Sequence, residues 1–193
     1  MFIIKEYGSL NRALSILVSG GVILCPAFTL YGISAGLFDI YANKRIYRIK
    51  KRDYGKPFIV IALKEFILES AVDVDKDKLS YLLDNVITVV VKTPLDLPFY
   101  AKSNGFVAFR AANTPFLKYI CSKTPITSTS VNISGADLKV SRVAEIFRRF
   151  REFVDGFVFG SVIGEQSTIV RLENDKVELL RKGYNAERVM EVL

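Results

Sequence analysis

The 193-residue chain is half apolar and carries 27 Lys and Arg against 20 Asp and Glu, a formal net charge of +7. It therefore has the means to bury a core, and intrinsic disorder is excluded. There is no histidine, and the two cysteines, Cys25 and Cys121, stand far apart without a C-x-x-C spacing. That excludes an imidazole base and argues against a cysteine–histidine zinc site and for a reducing setting. The excess charge is concentrated. Lys44, Arg45, Arg48, Lys50, Lys51, Arg52 and Lys56, opposed only by Asp53, give residues 44–56 a net +6 of the total +7. A positive field confined to one segment favours polyanions, either nucleotide phosphates or an RNA backbone.

In chain order, Leu10, Ala13, Leu14 and Leu17 recur at helical spacing and stop at Gly20-Gly21, ahead of a strand at Val22 to Cys25. The uncharged run from Ala13 to Phe38 is long enough to span a bilayer, but Gly20-Gly21 and Pro26 interrupt it, so it reads as helix, turn and strand. The amino terminus lacks the ordered regions of a signal peptide. No membrane association and a cytoplasmic location are therefore expected. A second helix is predicted over 37–50 and a buried strand at Phe58–Leu63, where apolar residues run without a break. Further helices are predicted at 64–70, 75–83, 115–122, 141–151 and 185–192. Strands are predicted at 86–91, 106–110, 126–129, 154–159, 166–172 and 176–181. Interleaved helices and strands indicate an α/β fold, with a mixed sheet and helices packed on it. With no linker, repeat or low-complexity tract, residues 1–193 read as one domain.

Three polar constellations flank these elements: P-A-F-T-L-Y-G at Pro26 to Gly32, K-K-R-D-Y-G-K-P at Lys50 to Pro57, and T-S-T-S-V-N-I-S-G at Thr127 to Gly135. The last is too polar for a core strand and reads as a strand running out into a loop whose donors converge on an anion. Its bland alternative is a solvated turn. Neither G-x-x-x-x-G-K-[ST] nor G-x-G-x-x-G is present, so a nucleotide site here must be of another kind.

Six segments, in order, resemble the YrdC-like L-threonylcarbamoyladenylate synthases. Pro26 to Gly32 is similar to the family's P-T-[DE]-T-[VA]-[YF]-G. Lys50, Arg52, Lys56 and Pro57 match K-x-R-P-x-x-K-P, and Val107 to Arg110 matches V-x-x-R. Pro125 to Gly135 matches P-[IL]-x-S-[TP]-S-A-N-x-S-G, Ser167 to Val170 matches S-T-I-V, and Leu180 to Gly183 matches L-R-x-G. The chain departs from the pattern at Ala27 and Phe28, which stand for Thr and Asp or Glu, and at Asp53 and Val131; the family's W-P-G-P-[LV]-T is replaced by Leu83 to Thr88.

The resemblance implies a YrdC-type α/β fold, in the short form without an added carboxy-terminal domain. It also implies formation of threonylcarbamoyl-AMP and pyrophosphate from L-threonine, bicarbonate and ATP, for threonylcarbamoyladenosine in tRNA. Lys50 and Arg52 are then expected to bind and polarise the ATP phosphates, with Ser130, Asn132 and Arg181 holding the nucleotide. Thr29, Tyr31, Lys56, Arg110, Ser128 and Ser167 are expected on the threonine side. Mg²⁺ is expected to be carried by the triphosphate. Implied partners are a complex that transfers the product to tRNA, and tRNA or double-stranded RNA on residues 44–56. The competing reading is a YrdC-fold paralogue that binds RNA or nucleotide without acting as a synthase.

Overall fold

A computed structural model of the protein describes residues 2–5, 10–131 and 143–193. Its centre is an 11-stranded sheet. In chain order the strands are β1 (Phe2–Lys5), β2 (Ile23–Pro26), β3 (Tyr31–Gly36), β4 (Ile59–Ala62), β5 (Thr88–Lys92), β6 (Lys102–Ser103), β7 (Phe106–Ala111), β8 (Ile126–Ser130), β9 (Gly156–Phe159), β10 (Ile169–Glu173) and β11 (Lys176–Arg181). In space they run β1-β9-β2-β3-β8-β4-β7-β5-β10-β11, with β6 paired to β7. The sheet is mixed: β4 and β7 are parallel, as are β5 and β10, whereas β8 is antiparallel to both β3 and β4.

The helices are α1 (Leu10–Val18), α2 (Ile40–Lys50), α3 (Lys64–Ser70), α4 (Lys76–Asp84), α5 (Pro115–Cys121) and α6 (Val143–Phe150). Their ends follow local chemistry. Asp39 caps α2 by accepting from the Ala42 N–H at 2.7 Å, Asp75 caps α4, and Thr114 caps α5 ahead of Pro115 at the first helical position. Residues 186–191 form a 3₁₀ helix, where the sequence predicted an α-helix over 185–192. The α6 prediction reached back to 141; residues 141 and 142 lie outside the described residues.

Because side chains alternate across a strand, the sheet has two distinct faces. One carries Leu24, Ile33, Val60, Val89, Phe109 and Val170, which pack with Ile46 and Tyr47 of α2, Ile67 of α3, Leu79 and Leu82 of α4, and Ile146 and Phe150 of α6. On the other face Ile23, Cys25, Ile61 and Ile126 pack with Ala13 and Leu17 of α1 and Phe116, Leu117 and Ile120 of α5. Those two helices cover only part of that face. Beyond them, no described residue covers the middle of the sheet.

Two expectations are corrected. The first part of the Ser/Thr stretch is in the core after all: Thr127 to Ser130 belong to β8, between β3 and β4, and Thr127 and Ser128 are buried, while residues 132–135 lie outside the described residues. A polar strand survives there because its hydroxyls are satisfied internally. Ser34 Oγ donates to Ser128 Oγ at 3.0 Å on one face, while Thr127 donates to Asn43 Oδ1 of α2 on the other. Asn43 is held in turn by the carbonyls of Gly36 and Asp39, at 2.9 and 2.7 Å. No strand is predicted between Pro26 and the helix at 37–50, yet the Pro26 to Gly32 constellation ends inside β3, a fully buried strand whose Y-G-I-S-A-G sequence gave no strand signal.

Candidate active site

The uncovered part of the sheet forms a cavity of about 480 Å³, within the usual range for small-molecule sites. Alternation supplies its floor: Gly32 of β3, Ser128 and Ser130 of β8, Ile59 of β4, Ala108 and Arg110 of β7, Val90 of β5 and Ile169 of β10. Glycine is required at position 32, since a Cβ there would lie 2.3 Å from Ser128 Oγ.

Of the residues predicted for the site, Thr29, Tyr31, Arg52, Arg110, Ser128, Ser130, Ser167 and Arg181 all line this one cavity. Arg110 is 5% exposed, and its Nη1 donates to Thr29 Oγ1 at 3.0 Å, while its Nε has no partner among the described residues. Burial above all lowers its pKa to about 10, with Cys25 opposing that shift and Arg181 adding to it. Arg52 is aimed by backbone carbonyls: its Nε donates to Lys56 and its Nη2 to Pro57, both at 3.0 Å, and the guanidinium lies 5.6 Å from the Phe58 ring centroid. Arg181 donates from Nε and Nη2 to the Ser167 carbonyl at 3.1 and 2.7 Å, and Ser167 Oγ lies 3.0 Å from Thr88 Oγ1. Burial lowers the pKa of both Arg52 and Arg181. Tyr31 donates its hydroxyl hydrogen to the Gly160 carbonyl at 2.8 Å.

Three predicted residues stand apart. Lys50 is 2% exposed and does not line the cavity; its ammonium donates to the Ser130 carbonyl, and burial, then Arg52, lowers its pKa to about 8. The Lys56 side chain is exposed and outside the cavity, while its backbone carbonyl accepts from Arg52 and from the Tyr47 hydroxyl. Asn132 lies outside the described residues. The sequence reading also missed several wall residues, including Ala108 and Gln166. Ala108 was within reach, since it sits two residues before Arg110 on a strand and must share its face.

The turn before β3 is tied down from outside. Phe28 adopts φ +64, which is uncommon for a bulky residue, and its ring meets Tyr184 edge-on at 6.0 Å. The N–H groups of Ile163 and Gly164 donate to the Phe28 and Thr29 carbonyls at 2.9 and 2.8 Å. Phe28 is not part of the wall, whereas Ala27 is, so a methyl faces the cavity where the resembling family has a hydroxyl.

Arg52, Arg110 and Arg181 line the cavity, and no Asp or Glu is among its described wall residues. Buried cations without carboxylate partners are costly unless a ligand supplies the counter-charge. The arrangement therefore selects a ligand with several negative charges, and the serine and threonine hydroxyls beside the arginines fix its oxygens by hydrogen bonds.

The Sua5/YciO/YrdC family model, described as telomere recombination, matches residues 15–183. The chain belongs to the Sua5/YciO/YrdC family. A relative from Pseudoalteromonas translucida named threonylcarbamoyl-AMP synthase is 28% identical over 184 residues, covering 90% of this chain and 98% of the relative. Among solved structures, Sua5 from P. abyssi, complexed with L-threonine, matches with a TM-score of 0.86 at 23% identity. The alignment covers 100% of this chain and 61% of that one. E. coli YciO matches with a TM-score of 0.80 at 23% identity, over 94% of each chain. These two likenesses establish the YrdC-type fold of the described sheet.

Proposed function

We propose that this family member is an L-threonylcarbamoyladenylate synthase, converting L-threonine, bicarbonate and ATP into threonylcarbamoyl-AMP and pyrophosphate. The observation that carries the reading is the cavity with three arginines and no carboxylate among its described wall residues. The synthase must hold a carbamate and a triphosphate together, and both are anions. Attack of a carbamate oxygen on the α-phosphorus calls for charge neutralisation and in-line positioning and for no protein nucleophile, which suits a chain without histidine.

In this reading Arg110, Thr29 and Ser128 hold the amino-acid carboxylate at the deep end. Arg52, Arg181 and Ser130 take the nucleotide, with Asn132 proposed beside them. Ser167 orients Arg181, Tyr31 braces the wall through Gly160, and Lys50 acts as a positioning residue that fixes the Ser130 carbonyl. Mg²⁺ fits as an ion carried by the triphosphate and held by phosphate oxygens and water, since the described wall residues include no carboxylate.

Contact with tRNA or other RNA is proposed for the exposed part of the basic segment. Lys44, Arg48, Lys51 and Lys56 are exposed, whereas Arg45 is paired with Asp155 at 2.6 Å, Lys50 is buried and Arg52 faces the cavity. Transfer of the product to tRNA is assigned to a further complex. Among the described residues no helix is long and apolar enough to cross a membrane, and a cytoplasmic location is proposed on the same grounds as the tRNA-linked reaction.

The test is pyrophosphate release from ATP with threonine and bicarbonate omitted in turn. Release that requires both and is lost in Arg52→Met supports the synthase; release that ignores threonine excludes it. If RNA binds the basic segment, affinity falls steeply with added salt, and a salt-insensitive interaction counts against that contact.

A further inference from the structure

The deep end of the cavity is served by a side chain that lies outside it. Ser34 of β3 is fully buried and is not among the wall residues. It stands directly opposite Ser128 across the β3–β8 ladder, on the same face as the floor residue Gly32. Its Oγ lies 3.0 Å from Ser128 Oγ on one side and 3.6 Å from Cys25 Sγ on the other. Three side chains thus form a row that ends at the cavity. Cys25 is the innermost, within the apolar cluster that also holds Ile23, Phe116 and Ile126.

Each member of the row carries one hydrogen to donate. Ser34 can give its own to oxygen or to sulfur, and the Ser128 oxygen is both the closer and the stronger acceptor. The thiol therefore donates to Ser34 and Ser34 donates to Ser128, so the row has one direction. With its oxygen occupied from behind, Ser128 turns its own hydrogen toward the cavity that it lines. Thr29 is set in the same way. A guanidinium can only donate, so Arg110 Nη1 occupies Thr29 Oγ1 at 3.0 Å and leaves the Thr29 hydrogen for a ligand. Beside Arg110, two hydroxyl groups therefore meet the ligand as donors. Donors fixed before the ligand arrives suit an oxyanion, because nothing has to reorganise to stabilise its charge.

We infer that Ser34, with Cys25 behind it, is a positioning residue that sets Ser128 as a hydrogen-bond donor and so makes the deep end select a carboxylate over the corresponding uncharged amide. The inference rests on the synthase reading, in which that carboxylate belongs to L-threonine, and deepens it by naming a residue that acts without touching substrate. A carboxylate accepts through both of its oxygens. A carboxamide offers one oxygen and one NH₂ group, and the NH₂ would confront a donor, leaving a buried polar group unpaired.

Ser34→Ala in the full chain removes the donor behind Ser128 and lets that hydroxyl turn either way. In calorimetry with L-threonine, L-threoninamide and ATP, threonine is expected to bind about tenfold more weakly, the loss of one hydrogen bond to a charged group. The preference for threonine over threoninamide should shrink with it, while ATP affinity keeps its wild-type value and shows that the variant is folded. Ser34→Cys, a weaker donor of similar size, should fall between the two and carries the same comparison if the alanine variant does not fold. In a Ser128→Ala background, Ser34→Ala should cause no further loss of threonine affinity, because Ser34 acts only through Ser128. A purely structural role would instead give equal losses for threonine and ATP, an unchanged amide preference, or additive losses in the double variant. Any of these results overturns the inference, as does wild-type threonine affinity in Ser34→Ala. If the wild type still makes the adenylate in that case, the synthase reading stands and the role of Ser34 alone fails. A wild type that makes no adenylate from threonine overturns the reading on which the inference rests.

Discussion

Replacing Arg110 by methionine separates stability from function, because the two are expected to move in opposite directions. The guanidinium is buried and, among the described residues, has one hydrogen bond, to Thr29, and no carboxylate beside it in the cavity wall. Its pKa falls from 12.5 to about 10, which corresponds to a penalty of roughly 3 kcal/mol on the charged form in the folded state. Because the folded value lies below the unfolded one, the penalty is present in full at neutral pH and fades only as pH rises from about 10 toward 12.5. Methionine preserves much of the apolar stem and removes the charge, at the expense of one hydrogen bond worth about 1 kcal/mol. The ligand-free variant should therefore be more stable by about 2 kcal/mol, a rise in melting temperature of roughly 5 °C for a chain of this size. Affinity for L-threonine should fall roughly 100-fold, as expected when one partner of a buried charge pair is removed. Thermal unfolding of both proteins, with and without threonine, reads both effects. A lower melting temperature for Arg110→Met would refute the reasoning, since it would mean that the folded protein already neutralises this cation.

Lys50→Met should weaken ATP binding by freeing the Ser130 carbonyl, and should also change the pH dependence of stability. Folding lowers the Lys50 pKa from 10.5 to about 8, so between those values the unfolded chain holds more protons and wild-type stability rises with pH relative to the variant. Denaturation midpoints of the two proteins across that window check it. Gly32→Ala places a methyl 2.3 Å from Ser128 Oγ and should destabilise the protein by about 1–3 kcal/mol, with threonine affinity falling more than ATP affinity in calorimetric titrations. Thr127→Val strips Asn43 Oδ1 of its partner on the opposite face of the sheet and should cost about 1–3 kcal/mol. Chemical denaturation should register that loss, while the Kd for ATP stays at the wild-type value.

The parts of the fold legible in the sequence were those with strong hydrophobic periodicity or uninterrupted apolar runs, such as α1, α4, α5 and β4. Of the strands that build the site, β4, β5, β7, β8 and β10 were legible as strands, and β3 was not. In β3, Tyr31–Gly36, glycine and serine replace the usual β-formers because Gly32 must leave room for Ser128 and Ser34 must donate to it. β8 reads as polar for a related reason: its hydroxyls bond partners 84 and 94 residues away, Asn43 and Ser34. Tertiary pairing of that kind left β8, predicted as a strand at 126–129, with no local sign that it is buried. The site residues were identified from ordered motifs, and the sheet brings eight of them to one cavity. The motif could not separate the Lys56 side chain, which is exposed, from its carbonyl, which aims Arg52.

Synthase activity is tested most directly by supplying labelled bicarbonate with ATP, Mg²⁺ and L-threonine and isolating the nucleotide product. The expected product is a labelled threonylcarbamoyl-AMP, formed together with pyrophosphate and absent with Arg52→Met. ATP bound by the wild type without any labelled, threonine-containing adenylate would contradict it.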